Sequence, residues 1–219
     1  MDPRSRRRSP RHLTVAADLE PVRLAVTAVF DAKHRAREEA LAACRRVIRS
    51  SANAIRALHR GERAEADSLI ADAGATLRGA VAVLAAHQDV LNAGFVHDAS
   101  KEYAEARLTL ALSAGEPLPL PADIGVEPAA YLNGLGEAVG ELRRRMLDLL
   151  RAEDLAAAEH TLAAMDAVVE MLATIDYPDG MTGGLRRTTD VARALVERSR
   201  SDLTTTVVQE RLRKELRKK

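Results

Sequence analysis

A chain of 219 residues can hold one large or two small domains, and with 47% apolar but only 2% aromatic residues and no Trp its core must be built from Ala, Leu and Val. That mixture suits helices better than sheets, and the single cysteine, Cys44, excludes an internal disulfide or a cysteine-based zinc site. The net charge of +1 conceals two cationic ends around an acidic body, for 22 basic stand against 30 acidic residues between positions 12 and 210.

The basic N-terminal arm, residues 1–12, is rich in Arg, Ser and Pro and is expected to be disordered. Residues 209–219 form a basic C-terminal tail. Such ends can be electrostatic arms for nucleic acid or plain solvated termini. Nothing of signal-peptide type follows the first residues, and no run approaches ~18 apolar residues. The expectation is a soluble, cytoplasmic protein without membrane contact.

Between the ends, the spacing predicts a helix from about Asp18 to Leu58 with Pro21 in its first turn, ending at Gly61. A second, Ala-rich helix is predicted from Glu62 to the Asn92-Ala93-Gly94 stop, and a third from Phe95 to Ser113. Prolines at 117, 119 and 121 favour an extended connection. A fourth helix is predicted from Pro128 to Ala152 and a fifth over 153–175. A turn-dense stretch then ends in Thr182 as the expected N-cap of a last helix, which starts near Gly184 and could run past Thr204 into the tail. The fold class is therefore all-α, a single-domain bundle of six to seven helices over residues 13–208.

On a wheel of about 100° per residue, Val96, Ala99, Tyr103, Ala106 and Leu110 make the core stripe of the third helix. Glu102 and Glu105 fall between that stripe and a second apolar edge, Leu108 and Leu112. Two carboxylates enclosed in this way call for a neutralising cation. Oxygen-only ligands favour Mg²⁺ or Mn²⁺ over zinc. On the fourth helix Glu137 and Glu141 point away from Leu135, Val139, Leu142 and Met146, next to Gly134, Gly136 and Gly140. The glycines imply close approach by another helix or by a nucleic-acid backbone, and the acidic face by itself could be simply solvated.

Arg186, Arg193 and Arg200 recur every seven residues on the last helix, with Asp190 and Glu197 placed for i,i+4 ion pairs. The six histidines show no metal spacing, and no nucleophile arrangement of Ser, Cys and His is evident.

Three stretches carry a family resemblance. They are Lys101-Glu102-Tyr103-Ala104-Glu105-Ala106, then Val126-Glu127-Pro128 followed by Tyr131-Leu132-x-Gly134-Leu135-x-x-x-Val139-Gly140-Glu141-Leu142-Arg143, and last Tyr177-Pro178-Asp179-Gly180-Met181-Thr182-Gly183-Gly184-Leu185-Arg186-Arg187 through Asp190-Val191-Ala192-Arg193 and Glu197-Arg198. In order and spacing the chain resembles translin and translin-associated factor X, in their prokaryotic branch. The resemblance implies a translin-like helical bundle that assembles into closed homo-oligomers, commonly octamers, holding single-stranded RNA or DNA. It implies that Glu102, Glu105, Glu137 and Glu141 are metal-binding and catalytic in a Mg²⁺- or Mn²⁺-dependent endoribonuclease, although the catalytic branch has Asp where Glu137 stands. Lys101, Arg186, Arg187, Arg193 and Arg200 are the candidate nucleic-acid contacts, with ordinary surface ion pairs as the alternative on the last helix. The alternative is a translin-like assembly that binds single strands without cutting them.

Overall fold

The computed structural model describes residues 15–217, so the arm at 1–12 and the last two lysines of the tail lie outside the described residues. Among the described residues there are nine helices and no strand. Six are long: α1 (Val15–His59), α2 (Arg63–Val83), α4 (Gly94–Ala114), α6 (Pro128–Arg151), α7 (Leu155–Ala173) and α9 (Leu185–Leu216). Three are single turns of four residues: α3 (Gln88–Leu91), α5 (Pro121–Ile124) and α8 (Asp179–Thr182). None is long and apolar enough to cross a membrane.

Helix α1 has two unlike halves. From Ala40 onward it buries Ala43, Cys44, Val47, Ser51, Ala54 and Ile55 against α2 and α4. Cys44 is the small core residue expected, and burial pushes its thiol up. Residues 19–32 are exposed throughout. Because α1 starts at Val15, Pro21 falls in the second turn rather than the first and gives up one backbone hydrogen bond there.

The reversal into α2 uses Gly61 at φ +78°, a conformation that costs glycine little. Helix α2 buries Ala66, Ile70, Ala73, Leu77, Ala80 and Leu84. One turn beyond Leu84 this stripe would present His87 and Gln88, which are polar, while Val90 would face away. The long helix expected to reach Asn92 therefore breaks, and the single turn α3 returns Val90 to the core at 8% exposure.

Helix α6 runs through the centre, packed against α4 on one side and against α7 and α9 on another. Ahead of it, α5 interrupts the extended Pro-rich connection, its Asp123 carboxylate accepting from the Leu120 amide at 2.8 Å. Asp154 caps α7 by accepting from the Ala157 amide at 3.0 Å.

The N-cap of α9 is Gly184, at φ +80°, and not Thr182 as expected from the sequence. Thr182 is buried in α8, and its carbonyl accepts from the Asn133 side chain at 2.7 Å. Helix α9 continues to Leu216, so most of the basic tail is helical and partly ion-paired, with Arg213 on Glu153 and Lys214 on Glu210.

Candidate metal centre

The acidic site begins with a missing methyl group. A Cβ on Gly134 would lie 2.7 Å from the Lys101 carbonyl oxygen and 2.8 Å from the Glu105 amide nitrogen. Only glycine lets α6 meet α4 backbone to backbone at this crossing. Gly136 serves the other side, where a Cβ would meet Thr188 Cγ2 of α9 at 2.5 Å. The close approach inferred from the glycines is thus made by helices.

Between them Asn133 ties the crossing to the start of α9. Its Nδ2 donates to the Ala129 and Thr182 carbonyls at 2.8 and 2.7 Å, and its Oδ1 accepts from the Thr188 hydroxyl at 2.6 Å. No local spacing marks this residue, because its partners beyond α6 lie 49 and 55 positions away.

Glu137 stands one turn after Gly134 and meets the α4 pair. One carboxylate oxygen from each of Glu102, Glu105 and Glu137 lies within 4.8 Å of the others. The core stripe forms as expected around them, with Val96, Ala99, Tyr103, Ala106 and Leu110 all buried, and Leu108 of the second apolar edge is buried as well. Two like charges at that spacing repel by about 3 kcal/mol at an effective dielectric of about 20. Burial, with the charges of Glu137, Glu102 and Glu141 behind it, raises the Glu105 carboxyl to about 8. Glu102 is also raised, first by burial and then by Glu137 and Asp98, with Lys101 opposing.

Lys101 supplies a cation within the chain. Its Nζ donates to Glu137 Oε1 at 2.7 Å and lies 3.8 Å from Glu102 Oε1. Burial alone would lower this ammonium, but the bond to Glu137 and the fields of Glu102 and Glu105 raise it.

Glu141 does not join the other three. One turn further along α6 it meets His59 of α1, with His59 Nε2 and Glu141 Oε2 2.5 Å apart and the imidazole only 7% exposed. No local spacing announces His59, which stands 82 positions from its partner.

The arginines of α9 lie elsewhere. Arg193 pairs with Asp190 and Arg200 with Asp166 of α7, so the ion pairs form, but backwards at i−3 and across to α7 rather than at i+4. Arg186 and Arg187 are exposed, with no ion pair among the described residues. Among the described residues none of the four is ion-paired or hydrogen-bonded to the carboxylate cluster.

Three carboxylate oxygens within 4.8 Å of one another are a hard-donor set of the kind that could hold Mg²⁺ or Mn²⁺. Of the three carboxyls, the half-buried Glu105 is the one raised furthest above its ordinary value.

No protein-family model matches the chain. An uncharacterized protein of Methanocaldococcus jannaschii is 26% identical over 126 residues, covering 57% of this chain and 56% of that protein, so the match spans about half of either. Among solved structures, AfC3PO in complex with duplex RNA matches at TM-score 0.78 and 33% identity, over 88% of this chain and 97% of that one. AfC3PO alone matches at TM-score 0.77 and 32% identity, over 88% and 98%. Apo-NeC3PO shares the fold at TM-score 0.74 and 18% identity, over 83% and 95%. The motifs around Glu102, Tyr131 and Tyr177 thus sit in an all-α bundle that superimposes along nearly its whole length on C3PO proteins, and the chain belongs to the translin family.

Proposed function

We propose that this chain binds RNA and cleaves it as a Mg²⁺- or Mn²⁺-dependent endoribonuclease. The observation that carries the reading is the convergence of Glu102, Glu105 and Glu137 from two helices locked together at Gly134. These three would hold the ion. When bound, it supplies Lewis-acid chemistry, polarising a phosphodiester and making a bound water acidic. Glu141, held by His59 beside the cluster, offers a carboxylate oxygen as proton acceptor.

RNA binding is supported by the similarity to AfC3PO, which was solved with duplex RNA. Duplex therefore belongs in the assay beside single-stranded RNA and DNA. With few aromatics for stacking, binding rests on phosphate contacts, for which Lys101, Arg186 and Arg187 are the first candidates, followed by Arg193 and Arg200 once their ion pairs open. Such binding weakens steeply as salt rises.

The assembly is proposed to be a homo-oligomer, an octamer in the translin manner. Leu19, Val22, Val26, Val29 and Phe30 form one apolar stripe on the outer half of α1, each between 48% and 61% exposed. A cytoplasmic setting suits the lone buried thiol.

Labelled single-stranded and duplex RNA incubated with purified protein in Mg²⁺, Mn²⁺ or chelator tests the activity. Metal-dependent cleavage that disappears in Glu102→Gln and Glu105→Gln supports it. Binding without cleavage leaves the non-catalytic assembly, and absence of binding at moderate salt removes both.

A further inference from the structure

Lys101 already holds one of the carboxylates that a metal ion would need. Its ammonium bonds to the Glu137 oxygen at 2.7 Å and stands 3.8 Å from Glu102. Those two residues, with Glu105, are the ones whose oxygens converge. A divalent ion held by these three carboxylates would compete with the Lys101 ammonium for Glu137 and would bring a second positive charge beside it. One cation has to leave. The side chain that leaves is a flexible four-carbon stem carrying a strongly hydrated point charge, which gives up a single-point contact more readily than a forked guanidinium would. It also sits at the rim, being 23% exposed beside Glu102 at 30% and Glu137 at 37%.

We propose that Lys101 is a resident counter-ion that a divalent metal displaces, and that the displaced ammonium then contacts the nucleic-acid phosphate at the mouth of the site. The inference rests on the metal reading above and adds to it a coupling. While Lys101 neutralises Glu137, the ammonium is withheld from phosphate. Once the metal takes over the carboxylate, the same ammonium is free one residue before Glu102, on the helix that carries two of the ligands. Metal and nucleic acid then favour each other through a single side chain, and by thermodynamic reciprocity each raises the other's affinity by the same factor.

The test titrates the full-length protein with Mn²⁺ at fixed ionic strength, reading bound ion by electron paramagnetic resonance. Wild type is compared with Lys101→Met, Lys101→Arg and Glu105→Gln. Fluorescence anisotropy with a labelled single-stranded RNA follows, with and without Mn²⁺, inside the window in which a gel shows the strand intact. The expected result is that Lys101→Met binds Mn²⁺ about tenfold more tightly than wild type while losing the larger part of the metal-induced gain in RNA affinity. Lys101→Arg should keep the competition and bind Mn²⁺ no more tightly than wild type.

Saturable Mn²⁺ binding to wild type that Glu105→Gln abolishes, together with unchanged or weaker binding in Lys101→Met, overturns the displacement and leaves the metal site standing. Wild type with no saturable binding overturns both. A thermal melt guards against a folding artefact. In chelator Lys101→Met should melt below wild type, having lost its internal counter-ion, and Mn²⁺ should close that gap. A Lys101→Met protein that stays low with the metal bound counts against the proposal.

Discussion

Glu137 and Glu141 stand one turn apart on the same helix, with the same side chain, and the fold gives them different company. Glu137 faces α4, where the missing Cβ of Gly134 brings Glu102, Glu105 and Lys101 against it. Glu141 faces α1 and is taken by His59. The difference teaches that a carboxylate's chemistry here is decided by which helix lies opposite, and that the boundary between a cation site and an ordinary ion pair can be a single helical turn.

The sharpest way to break this contrast is to neutralise one member on each side. Glu105→Gln is expected to lower metal-dependent RNA cleavage by roughly a thousandfold, about 4 kcal/mol of transition-state stabilisation, measured as single-turnover cleavage in Mg²⁺. Glu141→Gln, measured alike, should cost distinctly less, because Glu141 lies outside the converging three; an equal loss would merge the two regions. Next in size is Gly134→Ala. A methyl group 2.7 Å from a backbone oxygen forces the helices apart and should destabilise the protein by about 2–3 kcal/mol in denaturant unfolding, with weaker Mn²⁺ binding as well.

Removing His59 sharpens the other side. His59→Ala leaves a half-buried carboxylate without its partner and should cost about 1–2 kcal/mol of stability. Its Mn²⁺ affinity should not fall as that of Glu105→Gln does.

A pH series separates the regions without mutation. The Glu105 carboxyl is raised to about 8 in the fold, above its ordinary value of 4.5, so between these values the folded chain binds a proton that the unfolded chain has lost. Stability in chelator should therefore decline as pH rises from 4.5 towards 8, and level off beyond. Melting curves should show that decline flattened in Glu105→Gln. The smallest effect is expected at the α9 arginines. Arg193→Ala removes an exposed ion pair and should change stability by less than about 0.5 kcal/mol.

Much of this was legible in the sequence where the signal was local. The bounds of α4 and α6 follow from Gly94, the Pro-rich stretch and Pro128, and the stripe through Tyr103 placed Glu102 and Glu105 at the edge of the core. Glu137 could be assigned only through the family resemblance, since its own helix face reads as solvated. His59 and Asn133 were invisible, because their partners come from helices distant in sequence. The break after Leu84 was missed for a related reason. No Gly or Pro marks it, and the cause is that α2's apolar stripe runs out before Val90 has been buried. Thr182 had the right residue type for a cap, but the Asn133 side chain claims its carbonyl and two left-handed glycines start α9 instead.

The outer half of α1 has a thermodynamic consequence of its own. Residues 19–32 form about four turns of helix whose side chains find no cover among the described residues. Helices of that length are marginal by themselves in water, and Pro21 weakens this one further. Whatever covers the stripe through Leu19, Val26 and Phe30 must therefore also supply the order of that segment. In the proposed homo-oligomer that cover is another copy of the chain, and stability would then be a function of protein concentration, through mass action between subunits. Diluting the protein should speed amide exchange in residues 19–32 well before it disturbs the crossing at Gly134.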